Sequence, residues 1–137
     1  MTAKEYLSQA IWLNKAINAK LAQVRDIKDN LTCISSFYIA DKVQTTATGD
    51  RTCDLIAKLV DLQREVLDDI SRLYDIKDEI EMTIESVEDP RLRLVLFERY
   101  VNLKKWEKIA ADNNYSWRSV HGHHSKGLKE VAKKMAW

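Results

Sequence analysis

The chain has 137 residues, 45% of them hydrophobic and 31% charged, with three Gly, one Pro and two Cys. That length holds one domain, or a small domain with an extended arm, and so few turn residues argue against strands and for a nearly all-α fold. The net charge of +1 conceals an asymmetry: residues 91–137 carry 11 Lys+Arg against 4 Asp+Glu (+7), whereas residues 1–90 carry 11 against 17 (−6). A basic end on an acidic body is the electrostatic footprint of a nucleic-acid-binding end.

The opening MTAKEYLSQAIWLNK alternates charged and apolar residues and lacks the apolar run of a signal peptide. No later segment approaches the roughly 20 apolar residues of a membrane span. A cytoplasmic protein without a membrane partner is the expectation, with Cys33 and Cys53 as small core residues rather than a disulfide. Residues 3–34 predict one long helix with a seven-residue apolar repeat. One seam position is Ala10, Ile17, Val24 and Leu31; its companion is Tyr6, Leu13, Lys20, Ile27 and Ile34, with Lys20 the single polar intrusion. Thr, Gly and Asp in DKVQTTATGDRT predict a loop, about 36–52.

A second helix is predicted from Thr52 to Val87, roughly 50 Å long. Its seam is Leu59, Val66, Leu73, Ile80 and Val87 beside Leu55, Leu62 and Ile76, with Ile70 and Ile84 widening the stripe. Neither helix can bury its stripe alone. They fold back as an antiparallel, coiled-coil-like helical hairpin, or meet copies of themselves in a homodimer, and the stripes suit both. Asp61, Glu65, Asp68, Asp69, Asp75, Asp78 and Glu79 read as a solvated acidic face. The arm, 1–88, ends at Glu88-Asp89-Pro90, where Asp89 suits an N-cap and Pro90 the first residue of a new helix.

Residues 89–137 predict three short helices. The first, about 91–101, buries Leu92, Val95, Leu96 and Tyr100, and Asn102 ends it in a left-handed conformation. The second, about 105–112, turns Trp106, Ile109 and Ala110 inward. Asn113-Asn114-Tyr115 makes the turn, Ser116 caps the third helix, and Val120, Gly127, Leu128 and Val131 face the core. The spacing Ala110, Asn114, Val120 fits a helix-turn-helix. It places a small residue at the helix crossing, one that accepts positive φ four later, and a β-branched filler six beyond.

LRLVLFERYVN, WEKIA and YSWRSVHGHHSKGLKEV together resemble region four of bacterial sigma factors. More closely, they resemble the small phage and prophage proteins described as ArpU-type late-operon transcription regulators. The likeness is most specific over 89–131. It implies a promoter-binding regulator in a bacterial host cell, with contact to RNA polymerase as a further expectation. The sequence departs from the pattern where Leu103, Asn114 and Gly122 replace Gly, Gly and an outward basic residue. Lys105 stands for a capping Ser/Thr, His123 for an apolar core residue and Gly127 for a core Ala.

With Val120 inward, 100° per residue puts Arg118, Gly122, Ser125 and Lys129 on the opposite face, flanked by Ser119, His121 and Lys126. In a helix-turn-helix that face meets base edges in the major groove, and Arg118 is the candidate base reader. Lys104, Lys105, Lys126 and Lys129 are candidate phosphate contacts, with Ser116 and Trp117 at the helix start. The competing reading of these lysines is an ordinary solvated surface. Trp117 suits packing and base contact equally. His121, His123 and His124 lack the further local ligands of a structural zinc site, and the latter two are expected beside the core, with His121 near phosphate. No nucleophile–base pair or phosphate loop is present, and neither an enzyme nor a cofactor is expected. Double-stranded DNA is the favoured partner. The alternative is a protein–protein adaptor carrying a degenerate helix-turn-helix.

Overall fold

The computed structural model describes residues 1–41 and 46–135, and their side chains except those of 34–41 and 46–49. Among the described residues all regular structure is helical. The elements are α1 (Ala3–Leu7), α2 (Gln9–Asp41), α3 (Thr46–Glu85), α4 (Pro90–Tyr100), α5 (Trp106–Asp112) and α6 (Trp117–Lys134). None is long and apolar enough to cross a membrane. The chain divides into two compact units, one of Met1–Asn14 with Arg72–Trp137 and one of Lys15–Ser71. The sequence boundary at residue 88 lies between α3 and α4, whereas the units divide within α2 and α3.

Most of the expected loop is helical among the described residues. Residues 36–41 continue α2, and 46–52 already belong to α3; the remaining 42–45, like the side chain of the seam residue Ile34, lie outside the described residues. Poor helix formers lose only about 0.5–1 kcal/mol each relative to Ala. Extending an existing long helix avoids the unfavourable nucleation step.

In the Lys15–Ser71 unit the predicted seam is buried at Ile17, Val24, Ile27, Leu62 and Val66 and half-buried at Leu31, Leu55, Leu59 and Ile70. Val24 and Ile27 on α2 share a core with Leu62 on α3, and Leu31, Leu55 and Leu59 pack against it. Lys20, the polar intrusion, sets its Nζ 2.6 Å from Asp69 Oδ2 and 3.6 Å from Glu65 Oε2. The hydrogen bond to Asp69 prevails over desolvation and holds the Lys20 ammonium above its ordinary pKa. Asp69 is therefore not part of a solvated face; it is buried. Cys33 and Cys53, expected in the core, are exposed free thiols. Each lies nearly opposite its helix's buried seam, so the period of the helix carries it outward.

In the other unit the single helix expected over 3–34 is interrupted at Ser8. The break is one residue wide: Ser8 N–H still donates to Lys4 O at 2.9 Å, and Trp12 N–H to Ser8 O at 3.1 Å. A capping box starts α1, with Thr2 Oγ1 accepting from Glu5 N–H and Glu5 Oε2 from Thr2 N–H. Leu7, Ala10, Leu73, Ile80, Ile84 and Val87 are buried. Asp89 caps α4 as predicted, accepting from Arg91 N–H at 2.9 Å with Pro90 first in the helix. Helix α6 contacts α1, α4 and α5.

Candidate nucleic-acid interface

Two turns position α6. After α4 the left-handed residue is Leu103 (φ 57°), not Asn102 as the sequence suggested. A branched side chain there costs about 1–2 kcal/mol, and its neighbours hold it in place. Arg99 Nη1 donates to Lys104 O at 2.9 Å while its guanidinium lies over the Trp106 ring, 4.7 Å from the centroid. Lys104 Nζ bridges Glu98 Oε2 (2.9 Å) and Asp112 Oδ2 (3.1 Å), tying α4 to the end of α5. Those two carboxylates, Glu98 first, raise the Lys104 pKa.

After α5, Asn114 takes positive φ (55°), as its place in the spacing predicts. Tyr115 N–H donates to Ala110 O at 2.9 Å, and Asn113 Nδ2 to Ile109 O at 2.9 Å, so the C-terminal carbonyls of α5 are satisfied within the turn. Ser116 then caps α6, its Oγ accepting from Ser119 N–H at 3.1 Å. Val120 enters a core with Val95 and Ile109, against which half-buried Trp106, Ala110 and Tyr115 pack.

The inner face of α6 is Val120, His124, Gly127 and Val131; Leu128, expected there, is half-buried. Gly127 marks a close helix approach: a Cβ there would lie 3.0 Å from Leu96 Cδ1 and 3.1 Å from Leu96 Cγ. The buried histidine is His124 rather than His123. Its Nε2 is 2.6 Å from Tyr100 Oη, and burial, then the nearby Lys4, His121 and Arg99, push its pKa down to about 4. Burial pushes the Tyr100 phenol up to about 12. Both groups are therefore neutral at pH 7, which suits a hydrogen bond in an apolar setting. His123 is half-buried against Tyr115, ring centroids 5.1 Å apart.

On the outer face Arg118, Gly122, Ser125, Lys126 and Lys129 are exposed together, and a Cβ added at Gly122 would meet nothing within 4 Å. Ser116 and Ser119 are exposed, but their hydroxyls pair with each other at 3.0 Å in the cap. His121 does not reach this face. It is half-buried between Trp106 and Trp117, with centroids 4.9 and 4.4 Å away, and its Nε2 is buried without a hydrogen-bond partner. Trp117 is 54% exposed. Lys105 is exposed and stands as the N-cap of α5 without a side-chain cap bond. The Lys104 ammonium, held by two carboxylates, is not directed solely to solvent.

Comparison with protein families, with curated proteins and with solved structures gave no match. Among the described residues no group of three His, Cys, Asp or Glu is placed to hold a metal ion. The outer face thus offers one side chain with a planar fork, two flexible ammonium groups, a small hydroxyl and one bare stretch of helix backbone. That set suits hydrogen bonding to acceptors and charge pairing with an extended polyanion. Sequence reasoning missed the stack Arg99, Trp106, His121 and Trp117, because its members come from three helices and only Trp117 and His121, four apart on α6, share a local spacing.

Proposed function

We propose that this chain is a DNA-binding transcription regulator. Helices α5 and α6 serve as a helix-turn-helix, and the antiparallel pairing of α2 with α3 forms a helical-hairpin arm. This is the kind of protein that the likeness to sigma region four and to the ArpU-type phage regulators implies. The reading is carried by one observation: a capped α6 buries Val120, His124, Gly127 and Val131 while leaving Arg118, Gly122, Ser125, Lys126 and Lys129 exposed on the other side. A +7 net charge over residues 91–137 adds long-range attraction to phosphate.

Arg118, near the N-terminus of α6, is assigned the base contact, its fork pairing with guanine O6 and N7. Lys105, Lys126 and Lys129 are assigned to phosphates, and Gly122 lets the helix backbone approach the groove. Lys104 is reassigned: with Glu98 and Asp112 as partners it braces the α4–α5 turn. Trp117 packs on His121 and stays exposed, next in the chain to Arg118. Docking on RNA polymerase stays a secondary proposal. A groove of about 680 Å³ lined by Pro90, Arg93, Leu94 and Phe97 favours it as a place for a protein partner on α4.

Selection of duplexes from a random pool, followed by binding measurements on the winner and on random DNA, tests the assignment. Arg118→Ala should weaken the selected duplex about 10- to 100-fold, matching the ~1–3 kcal/mol of a bidentate base contact, and random DNA far less. Equal weakening of both removes the base-reading role. Failure of the full chain to enrich any sequence favours the adaptor reading.

A further inference from the structure

Trp117 opens α6 and is 54% exposed. Among the described residues of α6 it is the one large apolar side chain that is exposed. Ring packing holds it in place. Its ring lies 4.4 Å from His121 between centroids, His121 lies 4.9 Å from Trp106, and the Arg99 guanidinium covers Trp106 at 4.7 Å. This column runs from α4 through α5 to the first turn of α6, so an indole with few torsions to immobilise is braced by three helices. We propose that Trp117 is a specificity-determining residue that contacts the 5-methyl group of a thymine in duplex DNA, beside the guanine assigned to Arg118. The proposal rests on the DNA reading of α6.

The surroundings of the indole choose this contact. Arg118, Lys126 and Lys129 are exposed on the same helix, and residues 91–137 carry a net charge of +7, so the partner drawn to this end is a polyanion. In a helix-turn-helix the N-terminal residues of the second helix meet base edges in the major groove, and Trp117 and Arg118 are the first two of α6. Base edges in that groove offer donors, acceptors and a single apolar group, the thymine methyl. Arg118 matches the acceptors of guanine. A largely apolar ring matches the methyl, because each removes the other from water. His121 is a positioning residue: half-buried between the two indoles, it sets where the outer ring stands.

The test uses the full chain and the duplex selected from the random pool, with each thymine replaced in turn by deoxyuridine, which removes the methyl alone. One replacement, beside the guanine that Arg118 reads, should weaken the wild type about 3- to 5-fold, the worth of one buried methyl. Trp117→Ala, at an exposed position, should bind the thymine and uracil duplexes equally with unchanged helical circular dichroism. Trp117→Phe should keep most of the preference. His121→Ala should reduce the preference although Trp117 is present, and His121→Phe should restore it; a merely structural role for His121 would weaken both duplexes alike. A wild type indifferent to every thymine-to-uracil replacement overturns the proposal and leaves Arg118 as the base reader. A Trp117→Ala variant that keeps the preference overturns it too. Failure to enrich any duplex removes the DNA reading itself, and this proposal with it.

Discussion

Tyr100 on α4 and His124 on α6 meet through a 2.6 Å hydrogen bond between Oη and Nε2, with both residues buried. This contact sits under the helix that is proposed to read DNA, so α6 is anchored by a polar pair as well as by Val120 and Val131. Removing the phenol leaves a buried ring nitrogen without a partner, at a cost of about 1–3 kcal/mol. Tyr100→Phe should therefore lower the urea midpoint by an amount corresponding to that range. An unchanged midpoint would show that the hydrogen bond contributes nothing net.

The same pair gives the fold a pH dependence. The folded pKa of His124 is pushed down to about 4 against an ordinary 6.5, so below pH 6.5 the unfolded chain binds the proton more readily than the folded one. The contribution is fully present above pH 6.5 and is lost as the pH falls toward 4, with a slope of up to about 1.4 kcal/mol per pH unit. Replacing both partners, as Tyr100→Phe with His124→Phe, should flatten the stability profile between pH 6.5 and 4.5 relative to wild type. Parallel profiles would mean that His124 does not carry the dependence.

The two glycines of α6 should respond in opposite ways to alanine. Gly122→Ala adds a Cβ that meets nothing and should raise stability by about 0.5–1 kcal/mol through helix propensity. Gly127→Ala sets a Cβ 3.0 Å from Cδ1 and 3.1 Å from Cγ of the fully buried Leu96, which must shift by a few tenths of an ångström to admit it, and should lower stability by about 1–3 kcal/mol. Thermal melts of the two variants check the sign of each.

Leu103 holds a left-handed conformation that glycine adopts freely. Leu103→Gly and Leu103→Ala remove the leucine side chain to nearly the same extent, so their difference isolates the backbone. The glycine variant should be the more stable by about 1 kcal/mol in urea titration. Equal stability would mean that the turn relaxes when the side chain is cut.

Lys105 occupies an N-cap without supplying a cap bond. Lys105→Ser should stabilise the protein by about 0.5–1 kcal/mol while weakening duplex binding and reducing its salt slope by about 1. A stabilised variant with unaltered binding would remove Lys105 from the phosphate contacts.

What the sequence made legible was whatever depends on local periodicity and caps. The buried seams of α2 and α3, the Asp89 and Ser116 caps, the positive φ at Asn114 and the inward Val120 all follow from spacing within one element. Features that depend on neighbouring elements were hidden. The period from Val120 sets His124 within the inward stripe and His123 at its margin, but the hydrogen bond that His124 makes needs Tyr100 from α4 and has no local signal. Lys104 resembles any surface lysine until α4 and α5 bring Glu98 and Asp112 to it. Asn102 was the better left-handed candidate by residue type, yet the turn geometry fixed by Arg99 places that conformation on Leu103.

The central claim is that the outer face of α6 binds duplex DNA. Its most direct test is the affinity of the full chain for a random duplex as a function of salt, for the wild type and for Lys126→Ala with Lys129→Ala. The wild type should lose affinity linearly in log–log form with a slope of about −3, one unit for each of Lys105, Lys126 and Lys129, and the double variant should bind more weakly with a slope reduced by about 2. No binding at low salt, or a double variant with the wild-type slope, would contradict it.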